Sequence, residues 1–286
     1  NLDGFNALNA SQKAIIAAQC MKLQGKVAEV AFDPRSIILF DLNNVSYVLY
    51  KGNKLSMDGL MEYVSSWFPS CNTSNFKIVS DGKKSTYWRK SLYADYKENR
   101  KPSTDERFIK LLYELKLQLQ GESFYVSQDV LEADDIVATY ARDVSYEKVT
   151  CISADSDFHQ LAFYSRFVQI SPLKKEVEVV SKREAVGTLI GKVLKGDPKD
   201  NVKKSHTQIR IKTEDLSLVK DRVYEKLVSY VKKYPHIRVE DLPLRDIVWK
   251  ELKAMFEMDR EMFDLNFTLI NLIQREYLGM VNLPTS

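Results

Sequence analysis

Four short apolar runs constrain the fold of this chain more than any other feature. Ser36-Ile37-Ile38-Leu39-Phe40 ends at Asp41, and Phe76-Lys77-Ile78-Val79-Ser80 ends at Asp81. Val149-Thr150-Cys151-Ile152-Ser153 ends just before Asp155, and Val168-Gln169-Ile170 is the fourth run. Runs of this length with little in-out alternation suit strands buried on both faces, the condition of a parallel sheet. Helical patterns near 56–67, 87–118 and 132–143 lie between them. Strand and helix therefore alternate, which predicts an α/β fold with a mostly parallel central sheet flanked by helices. Beyond about residue 181 the strand signals stop, and 214–233, 244–258 and 260–276 read as helices, so a helical C-terminal region is expected. Residues 1–35 read as a helical extension, with Ala14, Ile15, Ala18, Met21 and Leu23 at roughly helical spacing before Pro34.

Composition narrows the class of chain. Apolar residues at 44% and aromatics at 11% of 286 residues suffice for a buried core, which sets aside disorder. Cys20, Cys71 and Cys151 are odd in number and widely spaced, which excludes a disulfide framework or a zinc ribbon and fits a reducing cytoplasm. The longest apolar stretches are too short to span a membrane, and nothing resembles a signal peptide. The formal charge is only +3, but its distribution is uneven. From Lys83 to Lys110 there are nine basic residues against four acidic ones, and from Lys192 to Lys212 seven against two. Two basic segments in a near-neutral chain suit a phosphate-facing surface; each alone also fits a solvated helix face.

In open α/β sheets ligands bind beyond the carboxyl ends of the strands, and three of the four runs deliver a carboxylate to that edge. The full series is Asp41, Asp81, Glu132, Asp134, Asp135, Asp155, Asp157, Asp197 and Asp200. Taken singly, each has an ordinary explanation. Asp41 and Asp81 suit turns, Asp134 and Asp135 a helix N-terminus, and Asp155 and Asp157 the cap of a helix starting near Phe158. Gathered at one edge, ionised carboxylates repel and call for a cation. An all-oxygen set without a Cys or His pair points to Mg²⁺ or Mn²⁺ rather than zinc. His159, His206 and His236 are too scattered for an imidazole site. A pair of such ions suits phosphodiester hydrolysis, with the flanking lysines and arginines drawing in the polyanion.

These residues resemble the structure-specific 5′-nucleases, a family that includes flap endonucleases and the 5′-nuclease domains of bacterial polymerases. The likeness runs most strongly toward its T-even phage ribonuclease H and 5′-exonuclease branch. It is carried by Phe40-Asp41-Leu42-Asn43, Ser80-Asp81, Tyr87-Trp88-Arg89-Lys90 and Tyr96-Lys97-Glu98-Asn99-Arg100. Further on come Glu132-Ala133-Asp134-Asp135, Ser153-Ala154-Asp155-Ser156-Asp157-Phe158 and Lys195-Gly196-Asp197-Pro198-Lys199-Asp200-Asn201-Val202. The resemblance implies a PIN-like 5′-nuclease fold, with a catalytic domain over 36–202, an arch over about 84–112, and a helical DNA-binding region over 203–286. It implies that Asp41, Asp81, Glu132 and Asp134 help hold one ion and that Asp155, Asp157 and Asp200 surround a second. Asp135 and Asp197 stand at the same edge. Arg89 and Lys97 are implied as the catalytic cations beside the scissile phosphate.

The implied partners are branched or flapped DNA and RNA–DNA hybrid, and phage replication proteins such as a single-strand binder and a clamp. The implied activity is a Mg²⁺-dependent 5′ to 3′ exonuclease and flap endonuclease that removes RNA primers and adjacent DNA during lagging-strand synthesis. The expected nucleic-acid contacts are Lys83, Lys84, Tyr87, Lys90, Tyr96, Arg100, Lys101, Lys199, Lys203, Lys204 and Arg210. On one continuous helix Lys90, Lys97 and Lys101 would form a basic stripe, and Tyr87, Trp88, Tyr93 and Tyr96 could stack on bases. One departure stands out: most cellular relatives carry a Gly-rich duplex-gripping motif after the Asp-Asn pair, whereas this chain has no glycine from Val202 until Gly279. Side chains such as Lys203, Lys204, Arg210 and Lys212 would replace its main-chain contacts. Two other readings stay open: different metal-dependent phosphoryl chemistry of the Toprim kind, and a non-catalytic DNA-binding scaffold of the same fold.

Overall fold

The structure is a computed structural model that describes residues 33–101, 105–174, 176–208 and 210–274. The expected N-terminal helix, apart from its last residues, lies outside the described residues. The first strand, β1 (Ser36–Asp41), is buried along its whole length and leads directly into α1 (Leu42–Lys51), which Asp41 caps by accepting from the Asn44 N–H. Then come α2 (Met57–Ser65), the single turn α3 (Phe68–Cys71), β2 (Phe76–Asp81), α4 (Tyr87–Leu92), α5 (Glu106–Leu119), β3 (Tyr125–Gln128) and α6 (Ala133–Arg142). The sheet is completed by β4 (Lys148–Ile152), β5 (Phe167–Ile170) and β6 (Val177–Glu178), with a 3₁₀ segment over Ser156–Phe163 after β4. After the sheet the chain forms α7 (Lys182–Lys195), α8 (Thr213–Lys233), α9 (Leu244–Met255) and α10 (Arg260–Ile270).

The strand order is β3-β2-β1-β4-β5-β6, parallel except for β6. The α/β prediction therefore holds, as does the helical C-terminal region. Alternate residues of β1 serve two cores. Ile38 and Phe40 pack with α1, α2 and α5, while Ile37 and Leu39 pack with α6 and β4 on the other face. A strand buried on both sides has no room for polar alternation, which is why its sequence is a continuous apolar run. A third core is helical, joining Val186, Ile190 and Val193 of α7 to Val219, Val248 and Phe263 of the following helices.

Strand order fixes where function can sit. β1 lies between β2 and β4, so the chain's crossovers leave β1 in opposite directions and open a crevice at its carboxyl end. Asp41 ends β1, Asp81 ends β2, and Asp155 follows β4 by three residues.

Two expectations fail locally. The helix expected over 87–118 is split into α4 and α5, and residues 93–101 form turns between them. The break begins where Tyr93 turns extended, with φ −145° and ψ 99°, and Lys97, with a left-handed φ of 57°, keeps the segment from resuming a helix. Lys90, Lys97 and Lys101 thus form no stripe: Lys90 and Lys101 are exposed, and Lys97 is turned inward. The strands β3 and β6 were not expected. β3 carries Ser127 and Gln128 and has little buried surface, and β6 is two residues long.

The turn over 196–202 depends on one glycine. Gly196 has a φ of 74°, and a Cβ there would lie 2.2 Å from the Val202 carbonyl oxygen. Gly196→Ala combines a left-handed backbone with a clash against main chain, so it should destabilise the protein by more than about 1 kcal/mol, read from the urea midpoint. An unchanged midpoint would contradict this account of the turn.

Candidate active site

The acids at the carboxyl edge fall into three environments. The first is built from hydrogen bonds alone. Asp41, buried at the end of β1, accepts from Ser153 Oγ at 2.8 Å and from both the backbone and the side-chain amide of Asn44. Asp81 accepts from Asn43 Nδ2 at 3.0 Å and from the Ala133 N–H at the start of α6 at 2.8 Å. Burial pushes the Asp41 carboxyl up to about 6; hydrogen bonds from Ser153 and Asn44 oppose the shift, and Asp81 adds to it. Lys116 on α5 faces this pair, and burial pulls its ammonium down while Asp81 and Asp41 push it up.

The second environment is held by cations. Arg89 is buried at 2% exposure and grips Asp135 with two bonds of 2.8 and 2.9 Å. It also lies 2.9 Å from Glu132 Oε2 and donates through Nε to the Leu269 carbonyl at 3.3 Å. Asp135 in turn accepts from the Glu132 N–H at 3.1 Å, which closes the first turn of α6. Lys97 Nζ is 2.6 Å from Glu132 Oε1 and 3.7 Å from Asp200 Oδ2, and Arg100 also pairs with Asp200. The Tyr96 hydroxyl sits between Glu132 at 3.1 Å and Asp200 at 2.9 Å. Lys97 and Arg100 hold the Asp200 carboxyl below the usual range against its burial. Lys192 on α7 pairs with Asp157 and lies 2.6 Å from Asp197.

Asp134 is the third case. No hydrogen bond or ion pair compensates it among the described residues, and burial followed by the charges of Asp155 and Glu132 pushes its carboxyl well above the usual range. It shares a small cavity of about 20 Å³ with Asp157, Asp197, Asp200, Arg89 and Tyr96, space for about one water. Asp155 uses one oxygen to cap the 3₁₀ segment, accepting from the Asp157 N–H at 2.9 Å. The capping and turn roles foreseen for single residues are thus present, alongside the clustering.

The cations expected beside a phosphate are placed differently from one another. Lys97 lies at the edge among the acids, whereas Arg89 is enclosed beneath it with its guanidinium committed to Asp135, Glu132 and Leu269. Tyr96 is likewise buried at 3% exposure, so its ring is closed to stacking; Tyr87, at 61%, is open. Lys83, Lys84, Lys90, Arg100, Lys101, Lys199, Lys203, Lys204 and Arg210 are all exposed. Asp135 faces the arginine rather than the cavity. His159 pairs with Glu178 at 3.3 Å, away from the acids. Sequence reading missed Lys192 and Lys116. Lys192 carries one signal, its place five residues before Asp197 at the end of a helix; Lys116 carries none. A larger groove of about 930 Å³, lined by Tyr146, Phe163, Tyr164, Leu227, Val231 and Leu242, opens near the amino ends of β4 and β5 and holds none of the nine acids singled out in the sequence.

A parallel sheet with acids massed beyond the ends of β1, β2 and β4 defines a resolvase-like nuclease domain. The family model for the N-terminal resolvase-like domain of 5′-3′ exonucleases matches residues 43–189, and the chain belongs to that family. It is 33% identical over 135 residues to the ribonuclease H of Enterobacteria phage T4, covering 44% of each chain. It is 34% identical over 134 residues to the flap endonuclease Xni of Shewanella loihica, covering 44% of this chain and 52% of that one. The matched stretches span about half the length of these relatives. Among solved structures, the bacteriophage T5 flap endonuclease in a pseudo-enzyme–product complex with DNA and metal ions superposes with a TM-score of 0.58 at 16% identity, covering 83% of this chain and 89% of that one. The T5 5′-exonuclease with bound zinc gives 0.57 at 18%, covering 83% and 90%. These structural likenesses establish the fold.

Two predictions follow from the geometry. Arg89→Met keeps bulk but leaves Asp135 with an uncompensated buried charge and Glu132 with Lys97 as its cation, so unfolding free energy should fall by about 3–5 kcal/mol in urea titration. A loss under about 1 kcal/mol would show that the acids are held otherwise. The raised Asp41 carboxyl binds its proton more tightly folded than unfolded, so its contribution favours folding at low pH. That contribution is lost as pH rises from about 4 through about 6, roughly 3 kcal/mol for this group. A divalent ion bound among the acids would offset the loss, so the melting-temperature gain on adding Mg²⁺ to chelator-stripped protein should then be larger at about pH 7.5 than at about pH 5. Equal gains would refute this linkage.

Proposed function

We propose that the chain is a Mg²⁺-dependent 5′ to 3′ exonuclease and flap endonuclease that hydrolyses phosphodiester bonds to remove RNA primers and adjacent DNA during lagging-strand replication. The observation that carries this reading is the group Asp41, Asp81, Asp134 and Asp155: four carboxylates at one sheet edge, with no ion pair to a basic side chain among the described residues. Among the described residues no three acidic, His or Cys side chains are arranged to hold a metal ion as they stand. The donor chemistry nevertheless fits a hard cation, since every donor is an oxygen and the raised Asp134 carboxyl marks a deficit of positive charge. Asp41, Asp81, Glu132 and Asp134 would help hold one ion. Asp155, Asp157 and Asp200 would surround the second, with Asp197 at the same edge. When bound, such ions supply a nucleophilic water at neutral pH and stabilise charge on attacking and leaving oxygens. Mn²⁺ would serve in place of Mg²⁺.

The chain's own residues divide the remaining work. Lys97, at the edge, is the cation that meets the scissile phosphate. Arg89 acts as a positioning residue, fixing Glu132 and Asp135 from beneath. Exposed Lys83, Lys84, Lys90, Arg100 and Lys101 attract the single-stranded 5′ end, with Tyr87 open for stacking on a base. Lys199, Lys203, Lys204 and Arg210 contact duplex backbone through side chains. Residues 36–202 would be the catalytic domain and 203–286 the DNA-binding region. The DNA and metal ions bound by the T5 flap endonuclease support the same substrate class here.

The test uses a 5′-flap duplex and an RNA–DNA hybrid with Mg²⁺ or with chelator. Cleavage of both is expected only with Mg²⁺. Asp155→Asn should reduce cutting by at least about 10³-fold while leaving flap affinity within a few fold of wild type. Unchanged turnover in that variant would remove Asp155 from the chemistry, and absence of metal-dependent cleavage on either substrate would overturn the reading.

A further inference from the structure

The cations around the acids differ in how they are held. Arg89 is enclosed on all sides, and Lys97 is fixed by its backbone, whose N–H bonds the Asp200 carbonyl at 2.9 Å. Lys192 is different. Its ammonium bridges Asp157 and Asp197, its side chain is 22% exposed, and its four-carbon stem leaves room to swing outward. The helix beneath it is rigid: Val193 and Leu194 are buried, and the Val193 carbonyl accepts from Ser205 Oγ at 2.8 Å and Asn266 Nδ2 at 3.0 Å. A fixed helix carrying a long, flexible and partly exposed side chain suits a group that can leave its place and return.

Of the acids it bridges, Asp157 is one of the three expected around the second ion, and Asp197 stands beside them at the same edge. An ammonium and a divalent cation compete for the same oxygens, and each raises the cost of bringing in the other. Without either, Asp157 would face Asp155 and Asp197 in a buried setting, where like charges repel. Resting on the nuclease reading above, we propose that Lys192 is a built-in counter-cation: it holds Asp157 and Asp197 together in the metal-free protein and is displaced toward solvent when a divalent ion binds there. It therefore weakens metal binding at that half of the site while protecting the empty site from its own repulsion.

The experiment compares the full chain with Lys192→Met, which removes the charge, and Lys192→Arg, which keeps it. Mn²⁺ and Mg²⁺ affinities are measured by titration calorimetry without DNA, and melting temperatures are taken in chelator and in saturating Mn²⁺. The Met variant should bind metal at least about tenfold more tightly, as expected on removing a like charge a few ångströms away. It should melt below wild type in chelator and recover in Mn²⁺. The Arg variant should keep the wild-type affinity. A purely structural lysine would shift melting without tightening metal binding, and that result overturns the proposal. So does an unchanged metal affinity accompanied by weakened binding of a 5′-flap duplex in Ca²⁺, which would make Lys192 a phosphate contact. If the Met variant does not fold, Lys192→Gln carries the same comparison. A wild-type chain that binds no divalent ion fails the nuclease reading itself, whereas metal binding shared equally by all variants fails only the role of Lys192.

Discussion

The carboxyl edge depends on containing the mutual repulsion of nine carboxylates. At low dielectric, like charges a few ångströms apart cost far more than a surface pair can return, so the fold spends buried residues on compensation. Arg89 does this most completely, with Asp135, Glu132 and a backbone carbonyl sharing one guanidinium. The compensation stops short of neutrality. Among the described residues Asp134 has neither hydrogen bond nor ion pair and its carboxyl is pushed well up, while Asp41 is eased only by hydrogen bonds. A fold under selection for stability alone would have filled these positions with apolar or paired groups. The residual negative charge is stability exchanged for a place where a cation is wanted.

Much of this was legible in sequence because the strands of a parallel sheet have little choice of residue. β1, β2 and β4 read as apolar runs since both their faces are covered, and each run stops where the chain leaves the core. The leading acids were legible for the same reason: Asp41, Asp81 and Asp155 mark the points where those runs end. What sequence hid was the partner of each acid. Arg89 and Asp135 are 46 residues apart, and Lys192 is 35 from Asp157. No local pattern distinguishes a lysine that will bridge two carboxylates from one on a wet helix face. The arch segment misled in the opposite sense. Its helical spacing is real, but Tyr96 and Lys97 gain more from turning in to Glu132 and Asp200 than from continuing a solvated helix.

That inward turn also explains how the later acids are placed. Asp41 and Asp81 stand on strands, whereas Asp197 and Asp200 stand on a loop, which by itself is a poor platform. The loop is stiffened by a second loop. Asn201 Nδ2 donates to the Asp95 carbonyl at 2.8 Å, Asn99 Nδ2 to the Pro198 carbonyl at 2.7 Å, and the Lys97 N–H to the Asp200 carbonyl at 2.9 Å. Both loops contain a left-handed residue, Lys97 with φ 57° and Asn201 with φ 59°. Such conformations persist where the surroundings over-determine them. The exposed Arg100, Lys101, Lys199 and Lys203 flank this joint, while Tyr96 and Lys97 reach through it to Glu132 and Asp200. Under the proposed reading, a polyanion drawn to those basic residues would bear on the same two loops that position the acids. Substrate contact and acid placement would then be joined by a few hydrogen bonds rather than by the sheet.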